Sequence, residues 1–275
     1  MTELLDEIIS ILSGNCNENA DEEANLIVQA AQIYANDDYA TIARTMAKRR
    51  ASGTPLAYVV GHGKFMGIDL IVAEGALAPR EETELLGYAA LDIIRASGSA
   101  PRVIDMCCGS GNLACAIAYH VPGSHVWASD LTDGCISVTQ RNIKHVGVSE
   151  RVIAMQGDLF AGIAGQGLEG TVDVIVCNPP YISQAKLATD RAELLEHEPR
   201  EAFDGGPYGL SIHQRVVKEA LPFLRSGGTL LFEIGLGQER QVKMLFERVK
   251  AYENVRFIAN GTGAVRVVSG RKCIA

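Results

Sequence analysis

The sequence has no long apolar run. Nothing in it approaches the ~20 consecutive residues that cross a bilayer, and the opening MTELLDEIIS has neither a basic leader nor a small-residue cleavage site. No membrane partner, no signal peptide and a cytoplasmic location are therefore expected. It also has no surplus of positive charge: 25 Lys and Arg stand against 33 Asp and Glu, a net charge of −8. A nucleic-acid backbone needs a concentrated basic face, so nucleic acid is not the expected partner. The best local basic patch is MAKRR (Met46 to Arg50), and a solvated helix end explains it equally well. The cysteines number seven, an odd count without paired metal-ligand spacing. Cys107, Cys108, Cys115, Cys135 and Cys177 fall in segments that read as buried, so reduced thiols packed as small hydrophobes are expected. None of the six histidines has a second ligand at metal spacing; surface or capping roles are expected for all of them, and no metal. Internal repeats and low-complexity tracts are absent too.

What is present divides into three stretches. Residues 1–52 read as a small helical domain. Leu4, Leu5, Ile8, Ile9 and Leu12 repeat at helical spacing up to Gly14. Asp21 is placed to cap a second helix striped by Leu26, Ile27, Ala30, Ala31 and Tyr34, and a third runs from Tyr39 to Arg50. The first 50 residues hold nine acids and four Lys or Arg, so this lobe is acidic. Residues 53–78 read as a β-hairpin linker: Tyr58-Val59-Val60, a turn at Gly61-His62-Gly63, then Phe65 to Val72. Residues 79–275 form the third domain. Pro79, Glu81 and Glu82 announce a helix. From residue 102, strands (RVIDMCC, HVWASD, RVIAMQGD, VDVIVCN, GTLLFEIG) alternate with helices (GNLACAIAYHV, DGCISVTQRNIKHVG, GLSIHQRVVKEALPFLR, GQERQVKMLFERVK). This is the pattern of an α/β fold with a doubly wound, mostly parallel sheet. The last two strands, VRFIAN and VRVVSG, lie close enough in sequence to close it as an antiparallel edge pair.

Three of these strands end in an acid: Asp105, Asp130 and Asp158. Open α/β sheets bind ligands beyond the carboxyl ends of their strands. Gly109 and Gly111 follow the first strand, where they let backbone approach a ligand closely. A carboxylate at Asp130 can take both ribose hydroxyls of a nucleoside, and one at Asp158 can meet an adenine amino group. A dinucleotide turn would carry a third glycine at helix-packing spacing. This one does not, so a pyrophosphate is a poor fit.

The strand VDVIVC runs into Asn178-Pro179-Pro180-Tyr181, which projects into the same crevice. Two prolines stiffen the tip and remove two N–H donors. The Asn178 side-chain oxygen and the Pro179 carbonyl can each accept one N–H of a planar nitrogen, and Tyr181 offers it a flat face. Held so, the nitrogen can make an in-line displacement governed by positioning.

D-x-x-x-G-x-G resembles the first motif of class I S-adenosyl-L-methionine (SAM) methyltransferases, and NPPY resembles that of the amino-methyltransferases among them. GTPLAYVVGHGKFMGIDLIVAEGALAPREETELL and EHEPREAFDGGPYGL (Glu196 to Leu210) are similar to segments of the glutamine-N5 methyltransferases of peptide chain release factors. The resemblance spans about residues 52–272, and the helical lobe fits that family's substrate-recognition domain. It implies the Rossmann-like class I fold, SAM as cofactor and a release factor as protein partner. It implies SAM contacts from Asp105, Cys107, Gly109, Gly111, Asp130, Leu131, Asp158 and Leu159, with Asn178 beside them. Phe65, Arg80 and Thr83 would close the methionine end, and Glu198 and Pro199 would buttress the site. Asn178, Pro179 and Tyr181 would hold the substrate amide. Phe65 reads equally well as hairpin core.

The chain departs from that family's pattern at Cys107, where glycine is common, and at Glu81, where proline is common. Its helical lobe is shorter, and NGTGAVRVVSG lacks the usual acidic-glycine pattern before the arginine. Transfer to a small amine or amino acid, including closure of SAM on itself with release of methylthioadenosine, is the rival reading. DNA methylation and a non-catalytic SAM-binding adaptor are further alternatives.

Overall fold

The computed structural model describes residues 2–14, 19–34, 38–189, 195 and 198–274. Cys16, Glu196 and His197 lie outside the described residues. The chain forms two compact units, Met1–Gly63 with Val72–Glu74, and Lys64–Ile71 with Gly75–Ala275.

The first unit is built from helices α1 (Thr2–Ser13), α2 (Ala20–Tyr34), α3 (Tyr39–Ala51) and α4 (Leu56–Val60). Leu4, Ile8 and Leu12 recur every fourth residue on α1 and are buried. They pack with Ala24, Ile27 and Ala31 of α2 and Ala43 and Ala47 of α3. Small residues on α2 and α3 let the helices approach closely. Glu23, buried near the start of α2, takes a two-pronged pair from Arg50 at the end of α3 (2.8 and 2.9 Å). Asp21 is not a cap, because α2 already begins at Ala20.

Tyr58-Val59-Val60 is helical, not the hairpin strand its β-branched composition suggested. Pro55 sets the entry at φ −55° and Gly61 ends α4 in the left-handed region at φ 77°. A short apolar run fits a buried helical turn as well as a strand, and here Val59 joins the helical core. The hairpin is instead β1 (His62–Phe65) and β2 (Ile68–Ile71). Its turn is Met66-Gly67 rather than Gly61-His62-Gly63, with φ of 49° and 79°. Two positive φ values give the primed turn whose twist matches the strands.

In the second unit, β3 (Arg102–Met106), β4 (His125–Asp130), β5 (Val152–Gln156), β6 (Val172–Cys177), β7 (Leu224–Glu233), β8 (Tyr252–Ala259) and β9 (Val265–Lys272) form one sheet in the order β5-β4-β3-β6-β7-β9-β8. The first five pair in parallel; β9 runs antiparallel to both β7 and β8. This is the doubly wound, mostly parallel sheet expected. Helices α5 (Glu84–Arg95), α6 (Asn112–His120), α7 (Asp133–His145), α8 (Gln184–Ala188), α9 (Ser211–Glu219) and α10 (Glu239–Val249) complete it. Helix α9 stops earlier than its apolar pattern implied. Pro222 cannot continue it, and Leu224 already begins β7.

Two buried layers sandwich the sheet. One gathers Val103, Val174 and Leu231 with α5 and α6, the other Ile104, Ile175 and Phe232 with α9 and α10. The order reverses at β3: β4 and β5 build outward on one side, and β6 returns on the other. Met106 pairs with Cys177, so the loops after β3 and β6 leave the sheet side by side. No described helix is long and apolar enough to cross a membrane.

Phe232, fully buried, stacks on Phe246 (5.7 Å between centroids) and lies 5.1 Å from the His213 ring. Phe232→Ala is expected to cost ~3–5 kcal/mol. Urea denaturation at constant m-value checks this.

Candidate active site

A cavity opens beyond the carboxyl ends of β3, β4 and β6. The turn after β3 forms its floor. Cys107 and Gly109 take φ of 58° and 55°, and Gly111 takes 75°. The Gly109 N–H donates to Asp130 Oδ2 (2.9 Å), and the Gly109 carbonyl accepts from the Thr139 hydroxyl (2.9 Å). At Gly111 a Cβ would sit 2.6 Å from Thr139 Cγ2, whereas at Gly109 it would enter open space. Gly111 is therefore required for packing against α7, and Gly109 leaves room on the cavity side.

Asp105 lies beneath that turn, wholly buried. Its Oδ2 accepts the Ala114 N–H at the first turn of α6 (2.9 Å), and its Oδ1 has no partner. Burial pushes its pKa up to about 8; the Ala114 N–H opposes this and the nearby Asp130 charge adds to it. Asp130 lines the cavity at the end of β4, with Leu131 beside it, 55% exposed. Asp158 and Leu159 line it after β5. The Asp158 carboxylate is held by Arg215 Nη1 (2.8 and 3.1 Å), so an adenine amino group would share it with a guanidinium.

On the opposite wall stand Arg80 and Thr83. Arg80 pairs with the buried Glu198, which also takes the Ala78 N–H. Glu198 thus joins the segment before α5 to Pro199, a further lining residue.

Asn178 and Pro180 face the cavity, while Pro179 is buried and neither it nor Tyr181 lines the wall. The Asn178 Nδ2 donates to Thr83 Oγ1 (3.1 Å). Tyr181 is an anchor rather than a platform. Its hydroxyl donates to Glu233 Oε1 (3.0 Å) and accepts from Arg266 Nη2 (2.9 Å), whose guanidinium lies over the ring at 5.6 Å. Phe65 does not line the cavity either. It is fully buried in the core beside Met66, Leu70 and Leu86, because the Met66-Gly67 turn points it inward.

Three contributors escaped the sequence reading: Glu233, Arg266 and Gln238. An acid at the end of the apolar strand LLFE was the available signal for Glu233, the same signal that singled out Asp105. Gln238 bridges three segments, donating to the Tyr181 and Gly209 carbonyls (3.0 and 3.2 Å) and accepting the Gly235 N–H (2.8 Å). Nor is His213 on the surface. It is buried, with Nε2 on the Glu233 carbonyl (2.9 Å), and burial lowers its pKa to about 4.

The lining groups decide which cofactor fits. Four acids (Asp130, Asp158, Glu201, Asp204) line the cavity with one cation, Arg80; Arg80, Asp158 and Asp204 are each held in ion pairs, with Glu198, Arg215 and Arg200. That set repels phosphate and suits a cationic nucleoside. The open space at Gly109 agrees. The thiols stay protonated: burial drives Cys108 and Cys177 upward and takes Cys135 to about 12. None of these three competes as a thiolate nucleophile.

Asp105 yields a sign-definite prediction. Its folded pKa lies above the ordinary 3.8, so the folded state holds the proton more tightly, and stability falls as pH rises from about 4 through about 8. Asp105→Asn removes this titration. Between pH 6 and 8.5 the melting temperature of the cofactor-free wild type is expected to fall relative to Asp105→Asn, as measured by calorimetry.

Residues 89–207 match the methyltransferase small domain family. Among solved structures, the chain superposes on the catalytic domain of hMettl16 in complex with an RNA hairpin, with TM-score 0.56 and 16% identity, covering 85% of this chain and 81% of that one. It superposes on the ribosomal protein L11 methylase of Lactobacillus delbrueckii subsp. bulgaricus with TM-score 0.52 and 18% identity, covering 73% and 84%. Both likenesses concern the fold, that of the class I methyltransferases. The release factor glutamine methyltransferase of Moorella thermoacetica is 38% identical over 79% of this chain and 75% of its own length. That of Geobacter sulfurreducens is 35% identical over 92% and 90%. Likeness at that level along most of both chains settles the family: the chain belongs to the release factor glutamine methyltransferases.

Proposed function

We propose that the chain transfers the methyl group of S-adenosyl-L-methionine to the side-chain amide nitrogen of a glutamine in a peptide chain release factor. One observation carries this reading. Asn178 stands at the switch point with its amide nitrogen engaged by Thr83, which leaves its oxygen for an incoming N–H. The names of the relatives supply the acceptor.

SAM brings a methyl group on a positively charged sulfur. The protein's share is to hold the acceptor. The Asn178 side-chain oxygen takes one N–H of the glutamine amide, and the family resemblance assigns the other to the backbone carbonyl of Pro179, whose ring is buried behind the wall. Accepting both hydrogens raises electron density on the nitrogen and aims it at the cavity. The same two oxygens face the positive charge that grows on nitrogen as it is alkylated. The new N–C bond would form as the S–CH₃ bond breaks and the sulfur leaves as the neutral thioether S-adenosylhomocysteine; the amide proton, acidic only once that bond forms, would pass to solvent, so no strong base is needed. Asp130 offers its carboxylate to the ribose, and the Cys107–Gly111 turn receives the rest of the nucleoside. Tyr181 fixes the tip from below through Glu233 and Arg266.

Asn178→Ala is expected to lower transfer by at least ~100-fold while SAM still binds. Tritium transfer from labelled SAM to purified release factor measures the first, and calorimetry the second. A release factor that stays unlabelled while SAM binds overturns the acceptor assignment. Methylthioadenosine as product shifts the reading to closure of SAM on itself.

A further inference from the structure

We infer that Glu233 is a positioning residue that acts through Thr83 to fix which end of the Asn178 amide faces the acceptor; this rests on the transfer reading above. An asparagine amide can lie two ways in its plane, related by a half-turn. Only one presents oxygen to an incoming N–H. The other presents NH₂ and repels it.

The choice is made by proton counting along a chain of three groups. Glu233, 1% exposed at the end of β7, is acceptor-only when ionised. Its Oε1 receives Tyr181 O–H and Arg266 Nη2 (3.0 and 2.9 Å), and its Oε2 receives the Thr83 hydroxyl (2.8 Å). Thr83 has one hydroxyl proton, and Glu233 takes it. Toward Asn178 it can therefore show only a lone pair, which binds the NH₂ end and not the oxygen. The observed contact, Asn178 Nδ2 to Thr83 Oγ1 at 3.1 Å, is the one this polarity demands. The flipped amide would set two acceptors against each other with no proton between them.

The Arg266 guanidinium on Oε1 (2.9 Å) favours the carboxylate form against its burial. Protonation would reverse the chain: a Glu233 hydroxyl donates to Thr83, and Thr83 then donates to the Asn178 oxygen. The groups that govern this titration come from four elements. They are Arg266 on β9, Tyr181 at the tip, Thr83 beside Glu82 (3.9 Å from Arg266) before α5, and the His213 ring on the Glu233 carbonyl. Burial shifts Glu233 upward despite Thr83 and Arg266, so wild-type kcat declines on the acid side.

The test compares Thr83→Val, which keeps shape and loses the hydroxyl, with Thr83→Ser, which keeps the hydroxyl, and adds Glu233→Gln. Thr83→Val and Glu233→Gln are expected to lower kcat roughly 10–100-fold, with the SAM dissociation constant of Glu233→Gln, which lies behind the cavity wall, within about threefold. Thr83→Ser is expected to stay within about threefold of wild type, and Glu233→Gln to flatten the acid limb. In an Asn178→Asp background both side-chain ends are oxygen, so orientation no longer matters and Glu233→Gln is expected to cost less than about twofold. Equal losses in both backgrounds, or Thr83→Ser as poor as Thr83→Val, overturn the inference. A readout that needs no acceptor separates its failure from that of the transfer reading: solvent exchange of the Asn178 side-chain NH₂ by NMR, assigned by its loss in Asn178→Asp. Exchange at least about tenfold faster in Thr83→Val than in wild type or Thr83→Ser supports the inference; unchanged exchange overturns it.

Discussion

Two parallel strands that leave a sheet side by side but continue in opposite directions cannot fill the space between their exits. That gap, between β3 and β6, is the constraint from which the site follows. The turn after β3 must bend sharply into α6 and does so with three left-handed residues in five, Cys107, Gly109 and Gly111. The segment after β6 goes the other way and is stiffened by Pro179 and Pro180. One rim bends so that backbone can lie close to a ligand; the other is rigid, so that the Asn178 side chain keeps its place at the cavity edge. The Met106–Cys177 register fixes the spacing of both rims.

Charge follows the same geometry. Carboxyl ends of parallel strands collect acids because nothing else is packed there and the helix N-termini opposite them favour negative charge. Asp105 takes an N–H of α6 in this way and gives up solvent to do it. The resulting cavity is acidic in a chain that is acidic overall. A cationic sulfonium compound is thus drawn to it, and polyphosphate is not.

Much of this was legible in the chain. The alternation of apolar runs with helical stripes gave the sheet, the acids after β3, β4 and β5 gave the cavity, and Asn178-Pro179-Pro180-Tyr181 gave the rim. What escaped depends on contacts made far along the chain. Tyr58 to Val60 has strand composition, yet Pro55 and Gly61 bracket a single turn of helix. Tyr181 sits in a motif that invites a stacking role, but its hydroxyl is claimed by Glu233 and Arg266, 52 and 85 residues away. Phe65 could face cavity or core, and only the two-residue turn beside it decides. Periodicity reports which side of an element is buried; it is silent on what the buried polar atom touches.

The buried pair of Glu233 and Arg266 asks why a charge is kept where an apolar residue would pack. An ion pair taken out of water gains little or nothing in stability over well-packed hydrophobes, because desolvation offsets the attraction. Orientation is what apolar residues cannot supply. A methyl group against Thr83 would leave its hydroxyl proton free to turn either way, and Asn178 would follow it. Only an acceptor that never donates holds the proton on one side, and at a buried position a paired cation favours that acceptor's ionised form. Tyr181, bonded to both, transmits the same constraint to the backbone of the tip. The cost of the buried charges therefore falls on folding and their benefit on the direction of one amide, which is why the pair sits under Asn178 and not elsewhere in the sheet.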